Sequence, residues 1–249
     1  MSRTRALVIG SGIQGACSAL ALANTGFDVV VLEQDTIPYN RTSLCGEGKV
    51  HLGFVYANDP TYETQRVMLD SALKFSSSIE QFIGEPVEWD KMRSKKFQYL
   101  ILKDSMVKPE ILLDRYTQLQ HDYERLIAKD SSLNYIGLRP DLLWSKTDAS
   151  PCIAKDQFTE CLQTEEVAIY PKALRTLLVN ALNEHSSIRM ICNARVDRVR
   201  RTNSGFSVEA GRHIHSADIV VNCSWGDRLR IDEDLLPSAA QPCTFRLKY

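Results

Sequence analysis

Arg5-Ala6-Leu7-Val8-Ile9, followed by Gly10-Ser11-Gly12-Ile13-Gln14-Gly15, decides the fold class. A short apolar run ends at a glycine. From Gln14 to Asn24 the composition turns to Ala and Leu, which favour helix. Gly26 stops that helix. Asp28-Val29-Val30-Val31-Leu32-Glu33 then forms a β-branched run suited to a parallel strand covered on both faces. Strand, turn, helix and strand within 29 residues make a minimal βαβ unit. In that context the glycines satisfy G-x-G-x-x-G as a dinucleotide fingerprint. Gly10 permits the tight turn, Gly12 lets backbone approach a pyrophosphate, and Gly15 lets the helix lie close to the strand. The helix start, with Ile13 and Gln14 between the glycines, offers free N–H groups and a partial positive charge to phosphates. Glu33 lies 18 residues past Gly15, where an acid accepts hydrogen bonds from ribose hydroxyls and repels a 2′-phosphate. Gln34 beside it joins the expected contacts.

The bulk properties set bounds on the rest. The chain has 249 residues, 44% apolar and 24% charged, with a net charge of −1. That composition is globular, and the charge balance argues against a nucleic-acid partner. The longest apolar stretches, such as Ala19 to Ala23, fall far short of a membrane span. Seven cysteines, an odd number at wide spacing with no C-x-x-C pair, read as structural thiols in a reducing cytoplasm.

Further along, Met68, Ala72, Phe75, Ile79 and Phe82 recur at helical steps, with Gly84 as a stop. Phe97 to Leu102 reads as a strand. Pro109 opens a helix with Leu112, Tyr116, Leu119, Tyr123 and Leu126 on one face, and Pro171 opens another. Four short strands are expected at 188–192, 195–200, 206–210 and 218–223, while 130–168 carries no clear pattern. Phe245 to Tyr249 alternates like a strand. His213 and His215 have metal-ligand spacing but no third ligand nearby, so no metal site is expected. Arg198 to Arg201 is read as a solvated strand edge.

The fingerprint alone serves both nicotinamide and flavin proteins. The loop after the second strand separates them. Arg41-Thr42-Ser43, then Gly46-Glu47-Gly48-Lys49-Val50-His51-Leu52-Gly53 and Tyr56, together with the glycine loop, resembles the D-amino-acid oxidase superfamily of flavoproteins. Many members carry a serine after the second strand and a glycine-rich run ending in Ile/Val-His-x-Gly. The resemblance resumes at Tyr170-Pro171-Lys172-Ala173-Leu174, at the Arg195-Val196 strand and at Asp218-Ile219-Val220-Val221-Asn222. Where the family reads Asn-Ala-Ala-Gly-x-Trp, this chain reads Asn222-Cys223-Ser224-Trp225-Gly226-Asp227. In all, about 160 of the 249 residues are covered, and the chain looks like the N-terminal two-thirds of such an enzyme.

The resemblance implies an α/β fold, a Rossmann-like FAD domain with an inserted, mainly antiparallel substrate domain. The expected segments are 1–85 and 166–235 for FAD, 86–165 for the substrate domain, and 236–249 for the start of its second part. It implies FAD contacts from Gly10, Gly12, Ile13, Gln14, Gly15, Glu33, Gln34, Thr42, Ser43, Lys49, Val50, His51, Val196, Cys223 and Gly226. Val196 would read the adenine, and His51 would lie near the flavin ring, to tune it or carry a covalent link. Cys45 is weighed as a reactive thiol, and Tyr56, Tyr99 and Tyr116 as substrate-pocket walls. No residue is singled out as catalytic. The expected reaction is oxidation of a C–H next to an amine or hydroxyl of a small amine or hydroxy acid, with hydride passing to flavin. An NAD-dependent dehydrogenase and a non-catalytic nucleotide-binding paralogue are the alternatives.

Overall fold

The computed structural model of the chain describes residues 3–149, 156–233 and 235. In chain order the elements are β1 (Arg5–Ile9), α1 (Ile13–Asn24), β2 (Asp28–Leu32), α2 (Thr42–Cys45), α3 (Glu63–Ile83), α4 (Trp89–Met92), β3 (Gln98–Leu102), α5 (Pro109–Lys129), β4 (Trp144–Lys146), β5 (Phe158–Thr164), α6 (Pro171–Glu184), β6 (Ile188–Ile191), β7 (Val196–Thr202), β8 (Gly205–Ala210), β9 (His213–Ala217), β10 (Ile219–Asn222) and α7 (Arg228–Asp232). Cys152, Cys243 and the whole of the expected 236–249 segment, including the strand-like end from Phe245 to Tyr249, lie outside the described residues. The packing divides the chain into two compact units, 1–45 with 175–249, and 46–174.

In the first unit four parallel strands lie in the order β10-β1-β2-β6. The order diverges from β1, so a crevice forms at the carboxyl ends of the strands, where such sheets bind ligands. Alternation along β1 buries both faces. Leu7 and Ile9 join Leu32, Val196, Val199, Val208 and Ile231 in one core. Ala6 and Val8 are fully buried on the opposite face, where α1 presents its small residues Gly15, Ala16 and Ala19. The antiparallel sheet β7-β8-β9 supplies the other layer. The stretch 188–223 holds five strands where four were expected. The additional one, β9, is an edge strand whose residues are mostly exposed, so it lacks the apolar run that marks a covered strand.

The second unit packs α3 near α5 and carries a three-stranded antiparallel sheet, β3-β5-β4. Two of its strands come from 130–168, the stretch without a readable pattern. β4 has three residues, and β5 alternates polar and apolar only in part. On α3 the buried face is Gln65, Leu69, Ala72, Leu73, Ser76 and Ile79, rotated from the expected stripe. Met68, Phe75 and Phe82 are half-buried at its margin, Phe75 against the Trp89 ring at 5.9 Å. Ser76 is buried because its hydroxyl donates to Asn134 Oδ1 at 2.7 Å, a partner no periodicity reveals.

No helix among the described residues is long and apolar enough to cross a membrane. Cys17, Cys45, Cys161, Cys192 and Cys223 are free thiols. Burial, with Cys223 adding to it, pushes the Cys17 thiol up to about 11, whereas Cys45 is exposed. Because the thiolate is the nucleophile, brief treatment with iodoacetamide at neutral pH is expected to label Cys45 well before Cys17. Peptide mass spectrometry reads the order, and early labelling of Cys17 would contradict its burial.

Candidate cofactor site

The site is built where β1 ends and α1 begins. Gly10 has φ +90°, and a Cβ there would stand 2.8 Å from the Cys223 carbonyl oxygen. A Cβ on Gly15 would stand 1.9 Å from the Gly10 carbonyl oxygen. Helix and strand therefore approach as closely as backbone allows, and Gly15 serves packing. Gly12 caps α1 without a side-chain hydrogen bond, and no acid sits in the first turn. The Ile13 N–H donates to Ser43 Oγ at 3.0 Å. The N–H groups of Gln14 and Gly15, in the same first turn, have no intrahelical acceptor. Uncompensated donors and the positive end of the helix favour an anion at this point.

Glu33 is buried, 7% exposed. Its Oε2 accepts the Ser11 N–H at 2.9 Å and the Ser11 hydroxyl at 2.5 Å, and its Oε1 accepts the Asp35 N–H at 2.9 Å. A carboxylate offers about four acceptor positions, so roughly one is left for a ribose hydroxyl. Ser11 Oγ in turn accepts the Tyr39 N–H at 3.1 Å. Glu33 thus shapes the glycine loop as well as facing the crevice. That second duty was invisible in the sequence, because the acceptor lies 22 residues from the donor.

The crevice has a volume of about 920 Å³, within the usual range of ligand pockets. Of the expected contacts it gathers Gly10, Gly12, Ile13, Gln14, Glu33, Gln34, Thr42, Ser43, Val196, Cys223 and Gly226. Gly15 lies behind the loop and does not line it. Ser11, Arg41, Arg195 and Trp225 line it too and were not anticipated as contacts. Arg41 pairs with Asp35 at 2.7 Å and Arg195 with Asp227 at 3.7 Å, and hydrogen bonding from Arg41 holds the Asp35 carboxyl below its ordinary value. The Val196 carbonyl accepts Arg230 Nη2 at 2.9 Å, so an adenine reader at Val196 would share that oxygen with a guanidinium. Aligned on Asn222, the position where the resembled pattern has glycine is Trp225, and there the backbone turns left-handed, at φ +53°. Gly226 has ordinary φ and nothing within 4 Å of where a Cβ would lie. It lines the crevice but has no need to be glycine.

Lys49, Val50 and His51 belong to the other unit. Lys49 Nζ pairs with Glu47 at 2.9 Å and lies over the Phe97 ring. Val50 is held through its carbonyl, which accepts the Tyr135 hydroxyl at 2.6 Å. His51 packs edge-on against Tyr56, ring centroids 5.8 Å apart, and faces the buried Glu166, a residue the sequence did not single out. Tyr99 and Tyr116 surround Phe54. Burial, then Glu166, pushes the Tyr116 hydroxyl up to about 12 and Tyr99 higher still, so both are protonated phenols at neutral pH. His213 and His215 lie on β9, and among the described residues no group of three or more His, Cys, Asp or Glu is placed to hold a metal ion.

A crevice at a strand-order divergence, with a bare helix start and an acid after the second strand, defines a dinucleotide-binding α/β protein. From residue 5 to residue 246 the sequence matches the family described as FAD dependent oxidoreductase. The chain belongs to that family, whose cofactor is FAD. Its fold is similar to that of a glycine oxidase from Geobacillus kaustophilus (TM-score 0.63, 14% identity, 93% of this chain and 58% of that one). It is likewise similar to an L-proline dehydrogenase from P. horikoshii (0.61, 18%, 93% and 55%). An iminodiacetate oxidase from Chelativorans sp. BNC1 gives 0.60, 20%, 93% and 58%. The chain thus spans a little over half the length of these proteins.

The residues present fit the adenosine-diphosphate part of FAD. The Gly12 position leaves room for backbone approach that a side chain would fill, with Ser43 Oγ only 2.9 Å from where its Cβ would stand. The open N–H groups of the first turn suit a diphosphate. Glu33 retains an acceptor for one ribose hydroxyl.

Proposed function

We propose that the chain binds FAD and serves a flavin oxidoreductase acting on the C–H bond next to the nitrogen of a small amino acid or related amine. The bare start of α1 at the crevice carries this reading. Gly12, Ile13, Gln14 and Ser43 would hold the diphosphate, Glu33 and Gln34 the ribose, and Val196, Cys223 and Gly226 the adenine side. Lys49, Val50 and His51 are assigned to the flavin side by resemblance. When bound, FAD supplies the electron-pair acceptor for hydride. The amine preference is supported by the solved relatives, which are named for glycine, L-proline and iminodiacetate. A hydroxy acid offers the same kind of C–H bond, and turnover with glycine, L-proline or iminodiacetate against a hydroxy acid decides between the two classes.

The purified chain is expected to be yellow, with bands near about 370 and 450 nm, and to release FAD on denaturation. Gly12→Val should reduce FAD retention at least about tenfold, equivalent to about 1.4 kcal/mol, because the new side chain meets Ser43 and fills the diphosphate path. Equal flavin content in wild type and variant would remove the site from this crevice.

A further inference from the structure

Glu166 is a carboxylate buried to 1% exposure, and the binding scheme above does not use it. Its two oxygens are committed differently. Oε1 accepts the Leu52 N–H at 2.7 Å. Oε2 accepts the Tyr99 hydroxyl and stands 3.5 Å from His51 Nδ1. That nitrogen is itself buried and has no hydrogen-bond partner, while the His51 side chain as a whole stays 24% exposed. The backbone on both sides of His51 is pinned. Val50 donates to the Val167 carbonyl at 3.2 Å and accepts Tyr135, and Leu52 is tied to Glu166. The imidazole therefore meets the carboxylate by construction of the loop.

We propose that Glu166 is a positioning residue for His51, holding the ring proton on Nδ1 and leaving Nε2 as the acceptor. A neutral imidazole has one N–H and one lone pair, and the group facing each nitrogen chooses between them. A lone pair on Nδ1 would be turned against the lone pairs of a buried anion, with no other donor beside it. An N–H on Nδ1 is attracted to Oε2, and a modest ring rotation closes the 3.5 Å gap to hydrogen-bond length. Tyr99 donates to the same oxygen and competes for it without altering the sign of the preference.

The use of that acceptor rests on the function proposed above. Oxidising an amine breaks a C–H bond, whose electron pair leaves as hydride to the flavin. It also releases one N–H proton as the carbon–nitrogen double bond forms. An unprotonated Nε2 lone pair is a group able to take that proton.

The test separates the two ideas. In the whole chain labelled with ¹⁵N-histidine, at a pH well above the ordinary imidazole value of about 6.5, His51 is expected to show a protonated Nδ1 and a pyridine-type Nε2. His51→Gln identifies its signals among the five histidines. In Glu166→Gln the Leu52 N–H retains the amide oxygen, so the amide NH₂ takes the place of Oε2 and faces Nδ1. The proton should then move to Nε2 and exchange the two ¹⁵N signals. Tyr99→Phe should leave the wild-type pattern unchanged. A wild-type spectrum with the proton on Nε2 overturns the proposal even if Glu166→Gln does not fold, and so does a folded Glu166→Gln without the exchange. Flavin content is measured on the same samples. Exchange in colourless protein keeps the Glu166 assignment and counts against the proposed function. Yellow protein without exchange does the opposite.

Discussion

Gly15→Ala is expected to disrupt the amino-terminal crossover itself, with a loss of stability of about 3 kcal/mol or more, at the upper end of overpacking costs. The added methyl would stand 1.9 Å from the Gly10 carbonyl oxygen. That atom is backbone, and Gly10 is held by its N–H to the Leu32 carbonyl at 2.8 Å. Neither β1 nor α1 can retreat without opening the buried layer of Ala6, Val8, Ala16 and Ala19. Denaturant unfolding of the purified chain measures the loss, and flavin content should fall with it. Gly226→Ala is the control. With nothing within 4 Å of the new methyl and ordinary φ, its effect should stay within about 0.5 kcal/mol. Equal stability of the two variants would mean that the close approach at Gly15 is not real.

Glu33→Ala should cost roughly 3 kcal/mol of stability, in addition to weakening the cofactor. The change strands the Ser11 N–H and the Asp35 N–H, and takes from the Ser11 hydroxyl its acceptor. Hydrogen bonds to a charged group are worth about 1.5–3 kcal/mol, and an unsatisfied buried donor costs about 1–3 kcal/mol. A residue that only touched ribose would lose affinity and leave the unfolding midpoint of the flavin-free chain unchanged. Comparing that midpoint with FAD affinity separates the two duties. Ser11→Ala keeps both backbone bonds to Glu33 but removes the hydroxyl that donates to Glu33 and accepts the Tyr39 N–H, so it should lower the unfolding midpoint through those two bonds alone.

Several features were legible in the residues because their causes are local. The βαβ start needs only an apolar run, a glycine turn, a helix-favouring stretch and a second apolar run, all within 29 residues. Pro109 and Pro171 mark helix starts for a steric reason contained in one residue. The loop motif around Ser43 and His51 was legible through likeness to a family. What stayed hidden depends on partners far along the chain. Glu166 became notable only once Leu52, Tyr99 and His51 had been folded around it. β9 stayed hidden because an exposed edge strand imposes little on its composition. On α3 the buried Ser76 has its partner in Asn134, which is 58 residues away.

By itself the sequence determined the class of fold, the glycine turn between β1 and α1 and the acid after the second strand. These follow from steric and charge requirements that neighbouring residues meet among themselves. Tertiary structure alone decided that Glu33 braces the loop it was expected only to face, that the left-handed turn after β10 falls on Trp225 instead of Gly226, and that a buried carboxylate stands against His51. Each of these depends on which distant atoms arrive at hydrogen-bonding or contact distance, and no local pattern of residue types encodes that distance.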